Sequence, residues 1–256
     1  MALIGKRKRS LHARGIERRT ILLESARALL AERDLDQVSL ADVAARAGVP
    51  KSSAYHFYAD IQHLYAALLA RVQGELIRVL SQPLRGRFQT WPDVVTALTK
   101  RGAAFYMANS AARQLQIGPK TPPALKLHDR RSDIAIARLH EEHIASVFEL
   151  PPIANRPQLF YRAVEIADLM FCLSMLEHGS LTKDMCREAG RAASAYLAIY
   201  LPAALPYRNA ETPGCAVPWP RKRRAELDHT GAGGASRDVP SHPHSGSSAP
   251  PSTIKV

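Results

Sequence analysis

The chain has 256 residues, of which 46% are hydrophobic, enough for one large or two modest domains with a packed core. Its formal net charge of +12 favours a polyanionic partner such as nucleic acid. No apolar run is long enough to span a bilayer, and the N-terminus lacks the apolar core and cleavage site of a secretory signal. The three cysteines are widely spaced and form no metal or redox motif. We therefore expect a cytoplasmic protein without membrane contact, metal or other cofactor.

Basic charge is concentrated at the start of the chain. Residues 1–20 contain seven Lys or Arg side chains against one acidic side chain, Glu17, which gives a net charge of +6. We expect residues 1–13 to form a flexible basic arm that contacts phosphates or the minor groove of DNA. The alternative is a solvated tail that only adds solubility.

A first helix is predicted next, because Leu22, Ala26, Leu29 and Leu30 recur at helical spacing. Ser39 followed by Asp42 then forms a variant of the capping box, with Asp in the place of the usual Glu or Gln. A second helix is therefore expected to begin just after Ser39.

Residues 40–59 have the pattern of a helix-turn-helix. Gly48 stands where the chain needs a left-handed turn, and Pro50 suits the first turn of the helix that follows. Apolar residues that would join the two helices are Val43, Ala47, Val49, Ala54 and Phe57. The second helix of such a motif lies in a DNA major groove. The alternative is a structural helical hairpin with a polar outer face.

The second helix presents mainly hydrogen-bond donors and acceptors. We expect Ser53, Tyr55 and His56 to contact base edges or the groove floor, and Lys51, Ser52 and Tyr58 to contact phosphates. With neighbouring positions included, the predicted DNA-binding residues are Arg18, Arg19, Ser39, Lys51, Ser52, Ser53, Tyr55, His56 and Tyr58.

The ordering of these segments resembles the TetR family of bacterial transcriptional regulators over roughly residues 14–72. The resemblance rests on the runs "LLAER", "VSLADVAARAGV" and "KSSAYHFYADIQHLYAALL", with Asp60 as a plausible N-cap of the next helix. It implies a DNA-binding head on a larger helical body that dimerises and usually binds a small effector. Two positions depart from the family pattern. Ile61 stands where Lys is frequent, which removes a phosphate contact, and Asp34 stands where Gly is common, in a left-handed position that Asp tolerates.

The predicted fold is all-α, with a three-helix head at residues 14–60 and a helical effector-binding and dimerisation domain at residues 61–206. Proline and glycine clusters divide the body into helices at 61–81, 91–109, 122–149, 156–178 and 182–204, with a shorter piece near 110–117. Strict apolar–polar alternation is absent, so no β-sheet competes.

Residues 156–204 are the predicted homodimer interface. The proposed faces consist of Phe160, Val164, Ala167, Phe171 and Met175 on one helix and Ala189, Ala192, Ala193, Tyr196, Leu197 and Tyr200 on the next. Two copies of this pair would form an intermolecular four-helix bundle. The alternative is that these residues pack only inside the protomer.

The effector is an unknown small molecule, and its site is sought among aromatic, soft and polar residues of the body. The candidates are Phe105, Tyr106, Met107, Arg113, Leu127, His128, Phe171, Cys172, Met175 and His178, each of which could also be ordinary core. His140 and His143 have the spacing of a metal-binding pair. Since no third ligand stands at a recognisable spacing, a solvated charged face of a helix is the preferred interpretation.

Residues 207–256 are rich in Pro, Gly, Ser and Ala and are predicted to be disordered. The basic run at residues 221–224 would add non-specific DNA affinity or only solubility. No nucleophile–base set, phosphate-binding loop or metal motif is present, so we do not expect an enzyme.

The favoured function is a homodimeric repressor that binds a near-palindromic operator in double-stranded DNA and is released by its effector. Such a protein would act in the bacterial cytoplasm, on the nucleoid when bound to DNA. The alternative is a DNA-binding activator or a partner-controlled regulator without a metabolite ligand.

Overall fold

A computed structural model describes the backbone of residues 2–208 and the side chains of residues 14–208. The predicted tail from residue 209 onward, including the basic run at 221–224 and Cys215, lies outside the described residues. The side chains of the predicted basic arm, residues 1–13, also lie outside them.

The described residues form an all-helical fold, which confirms the predicted fold class. The helices are α1 (Ala2–Glu32), α2 (Leu40–Arg46), α3 (Lys51–Phe57), α4 (Ile61–Leu80), α5 (Trp91–Ala108), α6 (Ser110–Ala112), α7 (Pro123–Val147), α8 (Arg156–His178) and α9 (Lys183–Leu197). A 3-10 turn (Leu35–Gln37) precedes α2, and a π-helical turn (Arg113–Ile117) follows α6. No helix in this part of the chain is both long and apolar enough to cross a bilayer.

Local sequence signals fix the ends of the head's helices. The backbone N–H of Asp42 donates to Ser39 Oγ at 3.2 Å, and the backbone N–H of Ser39 donates to Asp42 Oδ2 at 2.9 Å, which completes the capping box. Gly48 adopts φ +62°, the left-handed turn that the sequence predicts. Pro50 lies just before α3, one residue earlier than expected.

Two details of the first helix differ from expectation. The backbone of α1 is helical from Ala2, so the segment expected to form an arm is continuous with the helix. Asp34 adopts φ −68° and ψ 150°, so the expectation of a left-handed residue there is wrong. The chain leaves α1 through an extended residue, and the Asp34 carboxylate instead pairs with Lys120 Nζ at 2.8 Å.

One continuous hydrophobic core runs from the head into the body. Helix α4 begins at its N-cap Asp60, whose Oδ1 accepts a hydrogen bond from the backbone N–H of His63 at 2.9 Å. In the body, α8 packs between α7 and α9, and α9 packs against α5. At Gly190, α9 lies close to α5, since a Cβ built there would make an ordinary van der Waals contact with the Cα of Thr96 at 3.6 Å.

Candidate functional site

Helix α3 has an exposed polar side, and its opposite side is buried in the head through Ala54. Ala54 is fully buried against the rest of the head, while the side chains of Lys51, Ser52, Tyr55 and His56 are exposed. Ser53, on the same helix, is half-buried. The structure thus brings together five of the predicted DNA-binding residues on α3, four of them with exposed side chains.

Cationic side chains from α1 lie beside this surface. Arg18 and Arg19 are both exposed, and the Arg19 guanidinium lies 5.5 Å from the centre of the Phe57 ring. Within α3, Lys51 Nζ lies 5.9 Å from the centre of the Tyr55 ring. The surface therefore combines positive charge with aromatic and hydroxyl groups, the chemistry that contacts phosphates and base edges.

Two predicted DNA-binding residues, Ser39 and Tyr58, stabilise the fold of the head. Ser39 is exposed, but its Oγ donates to Asp42 Oδ2 at 2.5 Å as part of the capping box. Tyr58 is buried in the core of the head, and burial raises the pKa of its phenol. Neither side chain belongs to the free polar face of α3.

The body contains a cavity of about 50 Å³ among α4, α5, α7 and α8. Its lining is mainly apolar, with Tyr106 and Phe171 meeting edge to face at 5.8 Å between ring centres. Besides the phenol of Tyr106, three ionisable side chains line it: Asp133, His140 and Asp168. A mainly carbon wall with a few polar groups is typical of a small-molecule site.

Of the sequence-predicted ligand residues, the structure places Tyr106 and Phe171 in this cavity. Phe105, Cys172 and Met175 pack at the edge of the core, whereas Met107, Leu127, His128 and His178 are exposed. The guanidinium of Arg113 donates to the carbonyl oxygens of Tyr106, at 2.9 Å, and Met107, at 3.0 Å, where it stabilises the end of α5.

A buried cluster of carboxyl groups adjoins the cavity. Lys126 Nζ lies 2.9 Å from Asp168 Oδ2 and 3.7 Å from Asp129 Oδ2. Asp129 Oδ1 also accepts hydrogen bonds from the side-chain amides of Gln73, at 2.8 Å, and Gln116, at 3.0 Å. Burial opposes the charge of Lys126, but Asp168 holds the pKa of the ammonium above its ordinary value. Burial raises the pKa of Asp133 to about 9.

The preferred interpretation of His140 and His143 as part of a solvated face is wrong. His143 is buried, and its Nε2 lies 2.8 Å from the carbonyl oxygen of Leu80. His140 lines the cavity, where burial lowers the pKa of its imidazole to about 4. Both rings face inward because α7 is packed on two sides, by α4 and α8.

Two glutamines of the π-helical turn after α6 connect this cluster to the head by hydrogen bonds. Gln114 bonds to the head, and Gln116 bonds to the cluster. Gln114 Nε2 donates to the carbonyl oxygens of Leu30, at 2.7 Å, and Arg33, at 2.8 Å. Its Oε1 accepts the backbone N–H of Leu35 at 2.6 Å. Two residues further on, Gln116 reaches Asp129 of the buried cluster. One π-helical turn therefore touches both the head and the border of the cavity.

About half of the residues on the predicted dimer faces point into the protomer, whereas Tyr200, which follows α9, is 41% exposed. Phe160, Val164 and Phe171 are buried on α8, and Ala189 and Ala193 are buried on α9 against α5. For these residues the alternative of packing inside the protomer is correct. The opposite side of α8 is exposed and apolar, with Leu169 51% and Leu176 67% exposed.

Sequence reasoning missed the two cavity carboxyl groups, Asp133 and Asp168. Charged residues in the stretch around Asp129 and Asp133 are typical of a solvated helix face, because Asp is seldom fully buried. The one available signal is the four-residue spacing of Asp129 and Asp133, which puts both on the same side of α7.

Comparison with known proteins adds a family-model match over one segment and a similarity of fold. Residues 22–68 match the model of the bacterial regulatory proteins, tetR family. No curated protein sequence matches the chain.

Solved structures show the same architecture at low sequence identity. A TetR-family transcriptional regulator from Streptomyces coelicolor is 21% identical with a TM-score of 0.55, over 71% of this chain and 98% of that one. A TetR regulator from Rhodococcus sp. RHA1 is 19% identical with a TM-score of 0.54, over 73% and 97%. The multidrug binding protein EbrR, complexed with imidazole, is 18% identical with a TM-score of 0.50, over 70% and 94%. Residues 22–68 are therefore similar to the bacterial regulatory proteins of the tetR family, and the described residues have the fold of TetR-family transcriptional regulators of known structure.

Proposed function

We propose that the chain is a homodimeric repressor that binds a near-palindromic operator and leaves it when a small-molecule effector binds the body. The observation that supports sequence-specific binding best is the exposed polar face of α3 beside the cations of α1. The residues proposed to contact DNA are Arg18, Arg19, Lys51, Ser52, Ser53, Tyr55 and His56. The protein would act in the bacterial cytoplasm, on the nucleoid when bound to DNA.

An effector site in the body is supported by the cavity lined by Tyr106 and Phe171. The similarity to EbrR, a multidrug binding protein with imidazole bound in its structure, agrees with a ligand in this fold. The hydrogen bonds of Gln114 and Gln116 offer a route by which a change at the cavity reaches the head. Release requires that the effector binds more tightly to the conformation whose heads no longer match the operator.

A dimer is supported by the exposed leucines of α8 and by Ile199 just after α9, which is 71% exposed. A monomer rarely leaves large apolar side chains clustered in water, so a second copy covering this side is the natural partner. The two heads of the dimer would then bind two half-sites.

Selection of bound DNA from a random pool by the full-length protein tests the proposal. The expected product is an inverted repeat whose half-sites are centred about 34–36 Å apart or a multiple of that distance. The double variant Tyr55→Ala/His56→Ala should fail to enrich it, whereas Gln62→Ala, on the exposed side of α4, should enrich it normally. An enriched single half-site, or no enrichment, would contradict the proposal. An operator that no compound releases would favour the activator or partner-controlled alternative.

A further inference from the structure

The cavity contains one carboxyl group without a partner. Asp133 is only 5% exposed, it lines the cavity, and its Oδ2 has no hydrogen-bond donor among the described residues. None of the ion pairs in this part of the chain includes Asp133. A buried polar atom is nearly always satisfied, so an unpaired one beside an open volume indicates a missing donor or cation.

The surrounding charges do not supply that cation. The buried cluster has four carboxyl groups: Asp129, Asp133, Glu165 and Asp168. Lys126 is engaged with Asp168 at 2.9 Å, and Arg130 is engaged with Glu165 at 2.8 Å. His140, the remaining basic group of the cavity, is neutral because burial lowers its pKa to about 4. Acidic groups therefore outnumber cations around Asp133.

The other side chains that line the cavity are mainly apolar or aromatic and would contact the carbon atoms of a ligand. Leu76, Leu98, Ile136 and Val164 line the cavity together with the ring pair of Tyr106 and Phe171. The face of an aromatic ring attracts a cation that has been removed from water. An unpaired carboxyl group that lines the same cavity as two aromatic rings is thus complementary to a positive charge with apolar substituents.

We propose that the effector is an organic cation, an ammonium or similar group with apolar or aromatic substituents, whose charge binds Asp133 between Tyr106 and Phe171. This inference rests on the proposed effector-release function and adds the chemical class of the ligand. The cavity volume of about 50 Å³ is well below the roughly 300–1,000 Å³ of a site for a drug-sized ligand, so the ligand must displace wall side chains. Asp168 is one of these walls, and it is joined through Lys126 to the backbone carbonyl of Gln116.

Proton release should accompany binding. The titratable groups near Asp133 are Lys126, Asp129 and His140 of its own helix, Tyr161, Glu165 and Asp168 of α8, and Tyr106 of α5. Because burial and these carboxylates raise its pKa to about 9, Asp133 holds a proton near neutral pH while the cavity is empty. A cation replaces that proton. The affinity for a permanently charged ligand should therefore rise about tenfold per pH unit between roughly pH 6.5 and 8.5.

Calorimetry on the full-length chain tests the proposal with two isosteric probes, benzyltrimethylammonium and its neutral carbon analogue neopentylbenzene. We expect the wild type to bind the cation at least tenfold more tightly than the neutral probe at about pH 8.5, with about one proton released per cation at pH 7. Asp133→Asn should weaken cation binding at least tenfold and remove its pH dependence without weakening the neutral probe. Asp184→Asn, an exposed carboxyl on α9, is the matched control and should behave as wild type.

Failure of the wild type to bind benzyltrimethylammonium, or equal affinity for both probes, would overturn the cation proposal. This comparison needs no variant, so it decides the matter even where Asp133→Asn does not fold. If the cation binds as expected but leaves operator affinity unchanged, effector release is wrong and the cation site stands. If a neutral or anionic compound releases operator while the cation does not bind, effector release stands and the cation site is wrong.

Discussion

Individual side chains of α3 differ in what they can distinguish in DNA. Lys51 carries a flexible, exposed ammonium, which suits a phosphate that is the same in every sequence. His56 and Tyr55 present exposed rings with donor and acceptor atoms on the same helix. These rings suit base edges, whose pattern in the major groove depends on sequence.

The variant Lys51→Ala should weaken binding to operator and unrelated DNA by the same factor. It should also reduce the slope of log affinity against log salt by about one. His56→Ala should instead cost about 1–3 kcal/mol on the operator alone and relax preference at one base position. Fluorescence anisotropy on operator and scrambled duplexes over a salt series measures both. Equal losses of both variants on both duplexes would show that this division of contacts is wrong.

Asp133 should make the stability of the protein depend on pH. Its folded pKa, about 9, lies above the ordinary carboxyl value, so the folded state holds a proton that the unfolded state releases. Its contribution is therefore fully present at acid pH and is lost as the pH rises from about 4 towards 9, by at most about 1.4 kcal/mol per unit. Asp133→Asn should flatten this part of the profile in chemical denaturation, whereas Asp184→Asn should not. Parallel profiles for Asp133→Asn and wild type would contradict the raised pKa.

Residue positions fixed by local chemistry were predictable from sequence. Ser39 and Asp42 form their capping box within four residues of the chain. Gly48 makes the turn of the helix-turn-helix through its own positive φ, which glycine adopts without strain. Asp133 and His140 were not predictable, because their burial depends on α4, α5 and α8 closing over α7 from distant parts of the chain.

The short segment formed by α6 and the π-helical turn links the two parts of the molecule. Gln114 makes three hydrogen bonds to the end of α1 and the turn after it, and Lys120 pairs with Asp34 and Asp36. The exposed ion pairs are screened by water and contribute little. Two of the Gln114 bonds, those to the Leu30 carbonyl and the Leu35 amide, are part-buried and satisfy backbone groups at the end of α1 and just after it, so we expect them to help hold the head to the body.

Gln114→Ala should expose the Leu35 amide and the carbonyl groups of Leu30 and Arg33. Amide exchange of residues 33–38 should become faster, and the free energy of unfolding should fall by about 1–3 kcal/mol. Hydrogen–deuterium exchange and urea denaturation measure the two effects, with Gln62→Ala as a control on α4. Unchanged exchange over residues 33–38 would show that these bonds do not hold the head to the body.

Helix boundaries in the body were predictable, whereas their buried faces were not. Proline and glycine clusters mark the ends of α7 and α8 to within two residues, whereas α9 ends at Leu197, seven residues before its predicted end at residue 204. Helix α8 is apolar on two sides, with Phe160 and Phe171 inward and Leu169 and Leu176 outward. Periodicity alone gives no basis for choosing between two apolar sides, which is why the inner side was assigned to a dimer.

We expect the whole protein to act as a homodimer, and a substitution on the exposed side of α8 tests this expectation. Leu176→Glu would place an unpaired charge in the proposed interface, at a cost of several kcal/mol, and the variant should sediment as a monomer with intact helices. Leu127→Glu is the matched control, since Leu127 is 56% exposed on a different helix, α7, and is not part of the proposed interface, so this variant should remain dimeric. If Leu176→Glu sediments as a dimer, the interface lies elsewhere.

Sedimentation of the wild-type protein with its selected operator tests dimerisation and sequence recognition in one experiment. The expected complex contains two chains on one duplex with both half-sites, and the same protein on a scrambled duplex at equal salt forms no complex of defined size. One chain per duplex, or equal binding to the scrambled sequence, would contradict a dimeric operator-binding regulator.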